Sequence, residues 1–147
     1  MKKVYKKLIV LLLVLGFWAL LIFPIGKPFV LPFEAEEVSS VVLWTFWGYK
    51  EAREESDIAL IVEEMNNARL CGEFDFENYE PNEGDYSCSA CFFLKDGSTY
   101  EYETMLKPGL TSIFREADGT YYKAKNISLE KIYNRLNLEL QPGNPFQ

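Results

Sequence analysis

Two Asp-Gly dipeptides, Asp96-Gly97 and Asp118-Gly119, each sit between runs that alternate apolar and polar side chains, and they constrain the fold more than any other feature. Asp-Gly is favoured where both central residues of a turn take positive φ, the geometry that joins neighbouring antiparallel strands. Before the first pair, Tyr86, Cys88, Ala90, Phe92 and Leu94 alternate with Ser87, Ser89, Cys91, Phe93 and Lys95; after it, Tyr100 and Tyr102 alternate with Glu101 and Glu103. The pattern predicts a hairpin over 85–105, continued by short strands at 110–116 and 120–124. Residues 38–47 add a β-branched and aromatic strand, apolar in both parities, which calls for cover on both faces.

Helical spacing occurs twice. Ile58, Ile61, Val62 and Met65 repeat at i, i+3, i+4 and i+7, predicting a helix over about 57–69 with Ser56 as its N-cap. Leu129, Ile132, Tyr133 and Leu136 repeat in the same way after Ser128. Residues 50–55 read as a loop. The order of elements gives an α+β domain, a mainly antiparallel sheet of about five strands packed by two helices.

Ahead of it, Lys2, Lys3, Lys6 and Lys7 precede an uncharged apolar run over 8–23. Read on to residue 26, the run spans about 28 Å as a helix, close to the thickness of a hydrocarbon core. Five of the 15 Lys and Arg precede residue 28, whereas all 22 acids follow it, so basic flanks predict an N-in, C-out single pass. No small-residue cleavage site follows the run, which favours an uncleaved signal anchor. The predicted organisation is a basic cytoplasmic segment at 1–7, a transmembrane helix at 8–26 and an extended stalk at 27–37 holding Pro28 and Pro32. An extracytoplasmic domain at 38–138 and a flexible tail at 139–147 follow. The expected location is the cell membrane.

The chain contains no histidine, which removes His-based nucleophile activation and imidazole metal sites. A net charge of −7 is the wrong sign for gripping a phosphate backbone, so nucleic acid is not an expected partner. No glycine-rich phosphate loop or serine-nucleophile motif occurs, and no cofactor is implied. The acids between Glu73 and Asp85 lack EF-hand spacing and read as a solvated loop.

Cys71, Cys88 and Cys91 are disulfide candidates in an oxidising compartment. On one extended strand Cys88 and Cys91 lie about 10 Å apart on opposite faces, so Cys71 with Cys88, or less favourably Cys91, is the expected bridge. Tyr121 and Tyr122 are adjacent and must face opposite ways, which predicts an exposed aromatic beside Lys123 and Glu101, a mixed surface suited to a protein or cell-envelope partner. The expected function is therefore non-catalytic binding. The alternatives are a small envelope hydrolase using paired carboxylates, or a cysteine redox or metal module.

The first strand Val38-Ser-Ser-Val-Val-Leu, the helix Asp57-Ile-Ala-Leu-Ile-Val-Glu-Glu-Met, Lys95-Asp-Gly, Asp118-Gly-Thr-Tyr-Tyr and Leu129-Glu-Lys-Ile-Tyr follow one another as in a known class. The layout resembles small membrane-anchored extracytoplasmic domains of unknown function from Gram-positive bacteria. The resemblance implies a location and a fold class but no activity; the lipobox cysteine common in such families is absent here.

Overall fold

The computed structural model describes residues 5, 9–14, 16, 26–80, 86–106 and 112–145. Its centre is one eight-stranded antiparallel sheet: β1 (Lys27–Pro28), β2 (Val38–Thr45), β3 (Gly48–Ala52), β4 (Arg69–Glu73), β5 (Tyr86–Leu94), β6 (Thr99–Leu106), β7 (Ser112–Arg115) and β8 (Tyr121–Lys125). A 3-10 turn at Ala35–Glu37 leads into β2, α1 covers Glu55–Asn66 and α2 covers Leu129–Arg135. The strand order is β1-β4-β8-β7-β6-β5-β2-β3. The meander from β5 to β8 forms with turns at both Asp-Gly pairs, Phe92 opposite Tyr100 and Phe114 opposite Tyr122. In these turns only Gly97 and Gly119 take positive φ, so they are not the type with two positive φ values that the dipeptides predict.

The strand count corrects the expectation of about five. Three strands escape the sequence pattern because each is short, or polar enough to resemble a connection. Lys50 and Glu51 make β3 read as a loop, yet an edge strand with one solvated side tolerates charge. β4 follows α1 after only two residues, occupying the end of the range predicted as helix. α1 itself starts two residues before the predicted point, with Glu54 rather than Ser56 as N-cap.

The predicted transmembrane helix is also corrected. Among the described residues no helix is long and apolar enough to cross a membrane. Residues 9–14 are helical with exposed apolar side chains. The remainder of the predicted 8–26 span, apart from Gly16 and Gly26, lies outside the described residues, as does most of the 1–7 segment. The single-pass assignment and the location drawn from it are therefore withdrawn.

Nor do residues 27–37 form a stalk. Lys27 and Pro28 pair with Leu70 and Arg69, and the Phe29 N–H donates to the Ala68 carbonyl. The Leu31 N–H donates to Asn66 Oδ1 at the end of α1. With the backbone held in this way, Phe29, Leu31 and Phe33 turn inward at alternate positions, while Val30 and Pro32 face out. Phe29 packs edge-on to Tyr102 and Phe114, with ring centroids 5.5 and 5.0 Å away, and Phe33 packs on Phe92 at 5.1 Å.

One face of the sheet carries this core. Val41, Leu43, Ala90, Phe92, Tyr102, Phe114 and Ala124 lie under Ile58, Ile61 and Met65 of α1 and Leu129 and Ile132 of α2. Burial of such side chains contributes about 1.5–3 kcal/mol each before entropic costs. Arg135 of α2 pairs with Glu64 of α1. Ser128 caps α2 by accepting from the Lys131 N–H, and Lys50 closes the other end by donating to the Tyr133 and Leu136 carbonyls, each at 2.9 Å. The predicted tail is tied down at one point: Gln141 exchanges backbone hydrogen bonds with Tyr49 on the β3 edge.

Candidate functional site

The predicted aromatic surface is dispersed by strand alternation. Tyr121 and Lys123 share the sheet face without helices, and Glu101 lies on the same face two strands away, opposite Cys91. Tyr122 points to the other face. Tyr121 is half-buried, its ring stacked flat on Phe76 at 4.2 Å with 6° between planes. Tyr122 is also half-buried and packs against the core. Lys123 and Glu101 are exposed.

The three cysteines do not meet, which corrects the expected disulfide. Cys71 is on β4 and Cys88 on β5, with β8, β7 and β6 between them in the sheet, a separation of about 19 Å at the usual strand spacing. Cys91 is on β5 as well and faces away from Cys88. Burial pushes the Cys88 thiol up to about 12, reinforced by the Glu130 and Glu103 charges. Burial, then Glu101, pushes Cys91 up to about 11. Thiols so disposed stay protonated at neutral pH and are poor nucleophiles. No cluster of three metal-ligating side chains occurs among the described residues. In the acidic loop, Asp75 spends its carboxylate on Asn78, whose side chain and backbone both donate to it.

Two other places have the shape of a site. The first is a cleft of about 440 Å³ between the β1 segment and the β7–β8 turn, lined by Lys27, Phe29, Tyr100, Tyr102, Glu116 and Asp118. Lys27, Leu70 and Glu116 continue into a neighbouring hollow of about 470 Å³ that reaches Tyr122 and Glu73. Partial burial raises the Glu116 carboxyl above the usual range, the Asp118 charge raises it further, and Lys27 opposes both. The Asp118 carboxylate accepts from the Thr120 N–H at 2.8 Å and thereby holds its own turn.

The second is the tip of the β2–β3 hairpin. Here β2 ends at Thr45, Thr45 pairs with Gly48, and Phe46-Trp47 form the two-residue turn. Asn126 is the only non-glycine with positive φ among the described residues, so the turn keeps negative φ at both tip residues, and Gly48 carries the positive value, 139°. A β-carbon at Gly48 would meet the Gln141 carbonyl oxygen at 2.4 Å, so close approach also requires glycine there. Thr45 Oγ1 accepts from the Trp47 N–H and steadies the bend. The consequence is two large aromatic side chains 87% and 77% exposed, their rings 5.4 Å apart and nearly perpendicular at 85°. Beneath them lies a cavity of about 170 Å³ lined also by Ser87, Glu130, Tyr133 and Asn134. The sequence reading continued the strand through Trp47. The available signal was Gly48 followed by Tyr49, Lys50, Glu51 and Ala52, a second extended run with a glycine at its start.

No family model matches the chain, and no curated protein or solved structure matches it either.

Proposed function

We propose that this domain is a non-catalytic binding module that takes hold of a partner with the tip of the β2–β3 hairpin. One observation carries the reading: Phe46 and Trp47 are adjacent, almost fully exposed and held on a fixed two-residue turn. Exposing two such rings forgoes several kcal/mol of burial that a purely structural turn has no reason to give up. Aromatic side chains of this kind supply much of the energy at protein contacts, because they desolvate a large area at little conformational cost. The partner is a protein or cell-envelope component.

A photoreactive phenylalanine analogue at position 47, compared with the same analogue at exposed position 123, tests the proposal. Discrete adducts from position 47 alone support it. Equal labelling from both positions, or none from either, removes it.

A hydrolase reading has one specific observation in its favour, the raised Glu116 carboxyl beside Asp118 in the cleft between β1 and the β7–β8 turn. Against it stands the use of Asp118 in its turn. Turnover of aryl glycosides that disappears in Glu116→Gln would support this reading, and turnover unchanged by that substitution would end it.

A further inference from the structure

We propose that the cleft between the β1 segment and the β7–β8 turn receives the guanidinium group of an arginine residue presented by a partner protein. The site is separate from the hairpin tip, because β1 and β3 are opposite edges of the sheet, and it does not rest on the reading of that tip. The cleft brings two unsatisfied polar groups to one place. Glu116 is half-buried in its wall, yet its carboxylate makes no ion pair or hydrogen bond among the described residues. Tyr102 is 2% exposed, and its ring packs on Phe29, Phe92 and Phe114. Its hydroxyl has no hydrogen-bond partner among the described residues, and unlike the sealed Tyr133 hydroxyl it keeps a small opening. Burial raises the phenol above its ordinary range, and the groups that raise it further are Glu116 and then Tyr100. Both stand in the cleft wall, which sets the opening on the cleft side.

Charge selects the ligand. Glu116 and Asp118 line the cleft and Glu73 the adjoining hollow, against one base, the exposed Lys27. Asp118 uses one oxygen on the Thr120 N–H and keeps its charge. Pro28, Phe29 and Leu70 make the same walls apolar. An arginine side chain matches both features. Its methylene stem packs on apolar surface, its planar fork donates to a carboxylate and a hydroxyl together, and its weak hydration lowers the cost of entering a half-buried space. The cleft of about 440 Å³ holds such a side chain, and the hollow of about 470 Å³ beside it leaves room for the chain that carries it.

Other occupants fit less well. No group of three acids able to hold a metal ion occurs among the described residues. An anion would meet the carboxylates. An apolar group would desolvate Glu116 further and leave the Tyr102 hydroxyl unpaired. A sugar would need an open ring face, whereas Phe29 and Tyr102 are buried and Tyr100 packs on Phe33.

The test is a titration of the full chain with Nα-acetyl-arginine methylamide, followed by NMR at the Tyr102 ring and the Glu116 side chain. Nα-acetyl-citrulline methylamide, of nearly the same shape, is the uncharged control. The expected result is a saturable shift at about millimolar concentration with the arginine probe and none with citrulline. Glu116→Gln should weaken binding about tenfold and Tyr102→Phe about threefold, both with the parent's unfolding midpoint. No saturation with arginine, an equal response to citrulline, or binding unchanged by either substitution overturns the assignment. Equal affinity for Nα-acetyl-lysine methylamide overturns the guanidinium, and tighter binding of free L-arginine overturns the presented residue.

Discussion

The aromatic side chains at 29–33 and at 46–47 have the same chemistry and opposite fates. Phe29 and Phe33 are 6% and 4% exposed, whereas Phe46 and Trp47 stand almost wholly in solvent. The sequence suggested the reverse, with the first pair on a stalk and the second inside a covered strand. What separates them is backbone direction. The first segment runs across the sheet, anchored by pairing with β4 and by Asn66 of α1, so its alternate residues are aimed at Tyr102, Phe92 and Phe114. The second lies where the chain reverses, beyond the last ladder pair, and among the described residues no element passes over it. Hydrophobicity states what burial would gain; topology decides which residues collect it.

The largest expected effect distinguishes these regions by stability. Phe29→Ala removes two edge-to-face ring contacts from a closed core and is expected to cost about 3–5 kcal/mol in urea unfolding, whereas Phe46→Ala is expected to change stability by less than about 0.5 kcal/mol. Comparable losses would break the contrast. Next in size, Gly48→Ala puts a β-carbon against the Gln141 carbonyl at a positive φ and is expected to cost about 1–3 kcal/mol. It should also speed amide exchange at Tyr49 and Gln141, whose pairing the clash disrupts.

Lys50→Met is expected to cost about 1–2 kcal/mol, because the Tyr133 and Leu136 carbonyls at the α2 terminus lose their charged donor. That variant loosens the α2 terminus near the tip without touching the tip itself. The smallest effect is one of pH. In a carboxyl NMR titration, Glu116 should titrate above the ordinary glutamate value, and Asp96, whose carboxylate accepts from the Ser98 side chain and backbone, below the ordinary aspartate value. A raised folded value means that the native state holds more protons, so the Glu116 contribution to stability declines as pH rises through its titration. The Asp96 contribution has the opposite sign and is lost as pH falls through its lowered value. Glu116→Gln should abolish the first dependence and leave the second.

Much of the meander was legible because its information is local. Asp96-Gly97 and Asp118-Gly119 specify turns, and the flanking alternation specifies register. The helix faces followed from spacing in the same way. β1, β3 and β4 were not legible because nothing in two to five residues announces a partner. The pairing of Lys27 with Leu70 joins segments 43 residues apart in the chain. The site escaped for related reasons. Phe46-Trp47 lacks the Asn-Gly or Asp-Gly sign of a tight hairpin, since its positive φ falls on Gly48, one residue later. The tyrosines were placed on opposite faces by alternation, but their half-burial depends on Phe76 and on the core beneath β8, which one strand's pattern does not contain. The disulfide failed on strand order, which separates Cys71 from Cys88 by three intervening strands.

On the proposed reading, the hairpin tip serves binding and not folding. The most direct test is the double variant Phe46→Ala, Trp47→Ala, measured for its unfolding midpoint and for capture of the partner crosslinked from position 47. The expected result is an unfolding midpoint equal to that of the parent chain together with loss of the partner. A midpoint lowered as far as that of Phe29→Ala, or a partner retained in full, would contradict it.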